Sequence, residues 1–240
     1  MTKIPKYNIL AVITARGGSK GIPRKNIIKF IGKPLLAHVL QKALKSKYIT
    51  RVVVSSEDNE ILSVAKKYGG KEVILKRPEE LARDNSLSLP VVQHAVKEVE
   101  KKDKVKFDFI ILLQPTTPLM TIEDIDNAIE KLIKTKADTV VSVCEINDAH
   151  PIKIKKIVND KLVQYVDSMK ENIFRRQDMP KAYKRNGGIY ANKRNVVMKE
   201  NSLYGIEKDC RAYIMPRERS IDINSIEDLY LAEIIYKKYS

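Results

Sequence analysis

Through the first 145 residues, short apolar runs alternate with stretches of helical spacing, and few folds accept that alternation. Residues 8–15 form a continuous apolar run, which suits a strand buried on both faces. Residues 35–46 put Leu36, Val39, Leu40, Ala43 and Leu44 at helical spacing. The pattern then repeats: strand at 51–55, helix at 58–68, strand at 71–75, helix at 89–100, strand at 107–113, helix at 121–134 and strand at 139–145. Thr121 opens its helix with Asp124 three residues on, a carboxylate variant of the capping-box spacing. Such repeated units predict an α/β fold, a mainly parallel sheet with helices on both faces.

After residue 145 the regularity weakens. Asn159-Asp160, between apolar stretches at 155–158 and 162–166, predicts a β-hairpin. The whole segment 146–185 reads as an insertion that projects from the sheet. Strands return at 187–192 and 211–215, and a helix at 226–238 closes the chain with Ser225 near its start. Three parts are therefore expected: an α/β core over 1–145, a projecting arm over 146–185, and completion of the core over 186–240. Cys144 and Cys210 lack metal-ligand spacing and suit a reducing compartment, with both side chains expected in the core. The apolar runs are too short for a bilayer span, which needs about 20 residues, and the N-terminus lacks a signal-peptide pattern. A cytoplasmic protein without membrane contact is expected.

The loop that leaves the first strand, residues 16–26, concentrates the chemistry. Gly17, Gly18 and Gly21 let backbone N–H groups approach a ligand, and Arg16, Lys20, Arg24 and Lys25 supply charge for a triphosphate. No Gly-Lys-Ser/Thr ends the loop and Gly-x-Gly-x-x-Gly does not fit it, so P-loop and dinucleotide readings lose their support. Its place after the first strand favours ligand binding over an incidental surface loop. The chain carries 45 Lys and Arg against 30 Asp and Glu, a formal net charge of +15. That excess suits an anionic partner or simply a lysine-rich surface. Four Phe and no Trp argue against base stacking on a nucleic acid, so none is expected as a partner.

Five stretches in order carry a resemblance. They are the loop Ala-Arg-x-x-Ser-Lys-Gly-x-Pro-x-Lys-Asn from Ala15, then Arg77-Pro78-x-x-Leu81-Ala82-x-Asp84-x-Ser86-x-Ser88, then Leu113-Gln114-Pro115-Thr116-Thr117-Pro118. Asn186-Gly187-Gly188-Ile189-Tyr190 and Ser220-Ile221-Asp222-Ile223-Asn224 follow. Together they resemble the CMP-N-acylneuraminate cytidylyltransferases, the CMP-sialic acid synthetases and relatives that use other nine-carbon 2-keto sugar acids. The resemblance implies a Rossmann-like sheet with a dimerisation arm at 146–185, hence a homodimer. It implies transfer of CMP from CTP to the sugar's anomeric hydroxyl, with release of pyrophosphate. On this resemblance Arg16, Lys20 and Lys25 are the catalytic contacts to the triphosphate. Gly17, Gly18, Ser19, Asn26, Arg77 and Ser88 hold the nucleotide, and Gln114, Lys153 and Tyr190 meet the acidic sugar.

The resemblance also implies magnesium (manganese is an alternative) on two carboxylates at i and i+2. Here the pair is Asp222 and Asn224, so one charge is missing; Asp222 is the expected ligand, and Asn224 is a candidate to add one neutral amide oxygen. Asp228 reads as the acidic start of a helix. His38 and His94 read as packed or solvated, and His150 as an outside candidate for substrate. Two other readings remain open: the same transfer to another 2-keto sugar acid, and a non-catalytic basic module that binds nucleotides or nucleic acid.

Overall fold

The computed structural model describes residues 6–19, 21–83, 86–146, 149–166, 179–205 and 209–239. Strand β1 (Ile9–Thr14) leads through a small ribbon, β2 (Lys29–Phe30) and β3 (Lys33–Pro34), to α1 (Leu35–Lys45). Then come β4 (Arg51–Ser56), α2 (Asn59–Gly69), β5 (Ile74–Lys76), α3 (Ser88–Asp103) and β6 (Phe109–Leu113). Helix α4 (Ile122–Thr135) and β7 (Thr139–Ile146) precede the hairpin β8 (Lys155–Val158) and β9 (Lys161–Gln164). The chain closes with β10 (Ala182–Lys193), α5 (Arg194–Met198), β11 (Cys210–Ile214) and α6 (Ile226–Tyr239). Seven strands form one sheet in the order β11-β7-β10-β6-β1-β4-β5. Strand β10 is antiparallel to both its neighbours, and the other pairings in this sheet are parallel.

The period of two along each strand sorts the core into layers. Ile9, Ala11 and Ile13 of β1 face α1, α2 and α4, where Leu36, Leu40, Ile61, Ile129 and Leu132 are buried. Leu10 and Val12 face the other way, onto Val92, Ala95, Val96 and Val99 of α3 and Val197 of α5. Each buried Val, Leu or Ile side chain among these contributes about 1.5–3 kcal/mol over an exposed one. The mainly parallel sheet covered on both faces is therefore the one that the alternation requires. Thr121 Oγ1 accepts from the Asp124 N–H at 3.1 Å and Asp124 Oδ2 accepts from the Thr121 N–H at 2.8 Å, so the expected capping box forms. Asn159 and Asp160 both take positive φ, 47° and 62°, and turn the expected hairpin.

Several details differ from the sequence expectation. Lys71–Val73 forms a 3-10 turn and the strand begins only at Ile74. Asn186-Gly187, a dipeptide of strong hairpin propensity, lies inside β10, where the register against β7 shifts between Arg185 and Tyr190. That continuous strand runs through the 185/186 position at which the arm was expected to end. Residues 220–224 carry no sheet ladder; Asp222 and Asn224 lie on a segment outside the sheet, held by the Ile223 N–H donating to the Thr116 carbonyl at 2.8 Å. Cys144 is buried, whereas Cys210 is exposed on β11, which ends the sheet order among the described residues. Residues 167–178 of the expected arm, like Lys20, lie outside the described residues.

Candidate active site

The chain runs outward from β1 to β4 and β5, then crosses back through α3 to β6 on the other side of β1. A crevice opens at such a reversal, beyond the carboxyl ends of the strands, and ligands of open α/β sheets bind there. Here it is a cleft of about 400 Å³. The loop after β1 supplies Arg16, Ser19, Lys25 and Asn26, and the loop after β5 supplies Arg77 and Arg83. Gln114 and Thr116 enter after β6, and Asn224 reaches in from the segment before α6. Ser88 and Val91 belong to the first turn of α3, which has no side-chain cap, so its amide end presents partial positive charge to the cleft. Four cationic side chains line this space and, among the described residues, no carboxylate does. It is built for an anion.

The cationic side chains are positioned by their surroundings. Lys25 Nζ donates to the Ile223 carbonyl at 2.9 Å and to Asn224 Oδ1 at 3.2 Å, which aims the ammonium at the mouth of the loop. Burial pushes Lys25 below the ordinary lysine value, while the nearby Asp222 carboxylate pulls it back up. Buried Asn26 donates from Nδ2 to the Arg16 carbonyl at 2.8 Å and so holds the loop's first turn. Gly21 is obligatory on steric grounds, since a Cβ there would lie 2.3 Å from the Asn224 carbonyl oxygen. The loop and the 220–224 segment are therefore fitted to one another. Arg77 is 4% exposed and donates from Nη2 to Glu57 Oε2 at 2.6 Å, while its Nε is buried without a protein partner.

A second feature sits beside the cleft. Gly187 has φ +76°, and a Cβ there would meet Asp222 Oδ2 at 3.2 Å and Gln114 Oε1 at 3.3 Å. The bulge thus makes room for those two side chains. Buried Asn186 supports it: its Oδ1 accepts from Ser142 Oγ at 2.6 Å and its Nδ2 donates to Ser220 Oγ at 2.9 Å. Asp222 Oδ1 is buried with no partner, which fits a hard cation whose other ligands are phosphate oxygens and water. Asn224 spends its amide within the protein, accepting from Lys25 and donating from Nδ2 to Asp222 Oδ2 at 2.9 Å. The opposite amide orientation would set NH2 against an ammonium and oxygen against a carboxylate, so Asn224 acts as a bridge. Among the described residues no cluster of three His, Cys, Asp or Glu side chains is placed to hold a metal.

Of the residues singled out from the sequence, the cleft gathers Arg16, Ser19, Lys25, Asn26, Arg77, Ser88, Gln114 and Asn224. Gly17 and Gly18 do not line it, and the Gly17 N–H is taken by Glu57 Oε1 at 2.7 Å. Arg24, counted among the phosphate cations, is turned away: Asp58 and Glu60 both bind its guanidinium. The Arg24 guanidinium in turn holds the Asp58 carboxyl down to about 2. Lys153 is exposed on a 3-10 turn outside the cleft. Tyr190 is buried at 6% exposure, edge-on to Tyr204, and burial raises its phenol to about 12. His150 is structural, with Nε2 at 2.9 Å from the Pro180 carbonyl and Nδ1 accepting from the Ile152 N–H at 3.3 Å. His38 Nε2 lies 2.8 Å from the Phe30 carbonyl, a packed role as expected. Asp228 Oδ2 accepts from the Asn224 and Ser225 N–H groups at 2.9 and 2.8 Å and closes the start of α6. Arg83 and Glu57 were not singled out. Arg83 stands inside the motif around Leu81-Ala82 at a position where no residue type was expected, and its place after β5 was the one usable signal.

The chain is similar to several known proteins. A pseudaminic acid cytidylyltransferase of Campylobacter jejuni is 35% identical over 95% of this chain and 96% of its own length. A CMP-N,N'-diacetyllegionaminic acid synthase of Legionella pneumophila is 35% identical over 94% of each chain. An N-acylneuraminate cytidylyltransferase of Escherichia coli is 32% identical over 97% of this chain and 53% of its own length. A solved CMP:2-keto-3-deoxy-manno-octonic acid synthetase complexed with CTP superposes at a TM-score of 0.69, with 18% identity, over 97% of this chain and all of that one, which shows the shared Rossmann-like fold. The cytidylyltransferase family profile matches residues 10–239, and with it the cleft and the sheet that carries it, so the chain belongs to the cytidylyltransferases, a family of nucleotidyl-transferring enzymes.

Proposed function

We propose that this chain transfers CMP from CTP to the anomeric hydroxyl of a nonulosonic acid and releases pyrophosphate. The observation that carries the proposal is the cleft at the sheet's reversal point, lined by four cations and, among the described residues, by no carboxylate. The sugar class comes from the names of the relatives, which act on pseudaminic, legionaminic and N-acylneuraminic acids. In this reading Arg16 and Lys25 face the triphosphate with Arg83 beside them, and the resemblance assigns Lys20 the same task. Ser88, Asn26 and Arg77 hold the cytidine end. Gln114, next to the Gly187 bulge, meets the sugar, while Lys153 and Tyr190 reach it only if the substrate or a second subunit closes on them.

Phosphoryl transfer is mostly positioning and neutralisation of charge, so the protein's part is to hold donors in place before reaction. Lys25, held by the Ile223 carbonyl and Asn224, is aimed at charge that grows on the departing pyrophosphate. Asp222, with one oxygen unpartnered, is the residue that would hold magnesium or manganese. When bound, the ion withdraws charge from the phosphates. Asn224 keeps Lys25 and Asp222 from collapsing into a direct ion pair.

A homodimer belongs to the same proposal. Ile157 and Leu162 face each other across the β8–β9 hairpin and are 75% and 70% exposed. An apolar groove of about 1020 Å³ joins this arm to α6 through Ile154, Leu231 and Ile234. A second copy is the occupant proposed, since the resemblance assigns this segment to self-association. The test of the function is direct. Incubation with CTP, magnesium and a panel of pseudaminic, legionaminic and N-acetylneuraminic acids should release pyrophosphate with at least one sugar. Binding of CTP without release with any acceptor would favour the non-catalytic reading.

A further inference from the structure

Glu57 lies outside every motif, directly after β4, yet both of its carboxylate oxygens are committed to the site. Oε1 accepts the Gly17 N–H at 2.7 Å, and Oε2 accepts from Arg77 Nη2 at 2.6 Å. One side chain thereby ties the loop after β1 to the loop after β5. Its side chain is 17% exposed and that of Arg77 is 4% exposed, so the pair is largely shielded from water. Burial works against the Glu57 anion, but the Gly17 N–H and the Arg77 guanidinium outweigh it and leave the carboxyl below its ordinary value.

We infer that Glu57 is a positioning residue that couples the grip on the triphosphate to the reading of the base, an inference that rests on the nucleotide reading above. A guanidinium is a rigid planar fork, so fixing one terminal nitrogen fixes where the others point. With Nη2 held by Glu57, Arg77 lines the cleft with its buried Nε unpartnered, and that N–H is assigned to an acceptor on the base. Cytosine offers adjacent acceptors at N3 and O2, whereas uracil carries a hydrogen at N3. A guanidinium held in one plane separates the two bases, and one free to roll does not. The Gly17 bond places the phosphate loop against the same carboxylate. Glu57 reaches the nucleotide only through those two partners.

Glu57→Gln keeps the shape and one acceptor but removes the charge and turns N–H groups toward Arg77. The preference for CTP over UTP in kcat/KM should fall about tenfold, mainly through KM, with the melting temperature little changed. Glu57→Asp, too short to reach both partners, should shift the preference in the same direction. Because Glu57 reads the base through Arg77, adding Glu57→Gln to Arg77→Met should remove no further discrimination. A preference within about twofold of wild type in Glu57→Gln, beside its loss in Arg77→Met, would overturn the coupling while the nucleotide reading stands. Additive losses in the double variant would overturn it too. A wild-type protein that does not prefer CTP would sink the nucleotide reading itself and the inference with it.

Discussion

The nucleotide edge of the sheet and the flank formed by the β8–β9 hairpin and α6 are finished in opposite ways. At the edge, polar groups are buried and partnered within the chain: Arg77 on Glu57, Asn186 on Ser142 and Ser220, Asp124 on Arg219 and Tyr213. At the flank, large apolar side chains are left in water, with Ile157 at 75%, Leu162 at 70% and Ile234 and Tyr239 at 64%. It is these side chains that the proposed second copy would cover. The contrast teaches that the nucleotide edge is held together by contacts within one chain, whereas the flank leaves apolar side chains uncovered.

The largest effect belongs to the edge. Lys25→Ala should lower turnover about 10²–10³-fold, the cost of removing one preorganised donor, while circular dichroism shows an unchanged fold. Near-normal turnover would remove the loop from the mechanism. Next comes the neighbouring segment. Magnesium should bind weakly to the free protein and tightly with CTP, and Asp222→Asn should weaken the CTP-dependent binding by about tenfold or more in calorimetry. Tight binding to the free protein that survives Asp222→Asn would place the metal elsewhere.

The flank supplies the third test. Ile157→Glu with Leu162→Glu should turn a dimer into a monomer by light scattering, with CTP affinity in calorimetry changed less than about twofold. A wild-type monomer would break the comparison at its root. The smallest effect concerns Lys42 on α1, behind the edge, whose Nζ donates to the Pro118 carbonyl and which burial pushes down to about 8. The folded chain releases this proton near pH 8, while the unfolded chain keeps it up to the ordinary lysine value. Unfolding therefore takes up a proton in between, and stability gains with rising pH across that window. Lys42→Met should remove that increment from the melting temperature measured between pH 8 and 10.

Much of the fold was legible because its signals are local. The alternation of periods identified β1, α1, β4, α2, α3, β6, α4 and β7 within a few residues, and Thr121 with Asp124 marked a helix start that the structure closes as a capping box. The Asn159-Asp160 hairpin followed from turn chemistry alone. Asn186-Gly187 shows the limit of the same rule. The dipeptide permits positive φ, but whether the chain turns back or merely bulges depends on β6 and β7 on either side, and here they hold it in the sheet. The cleft was legible to a similar degree: residues 16–26 and the stretches at 77–88 and 113–118 do converge. Their individual roles were less so, since Gly17 donates to Glu57 and Tyr190 is buried against Tyr204.

The sequence by itself determined the elements, their order and the family, because periodicity, capping and motifs are written in neighbouring residues. Only the tertiary structure decided which charges face the ligand. Arg24 and Lys25 are adjacent in the chain, yet Asp58 and Glu60 take the first and the Ile223 carbonyl with Asn224 aims the second into the cleft. A cation's role depends on the partner nearest in space, and those partners come from loops that meet only when the sheet has brought its strand ends together.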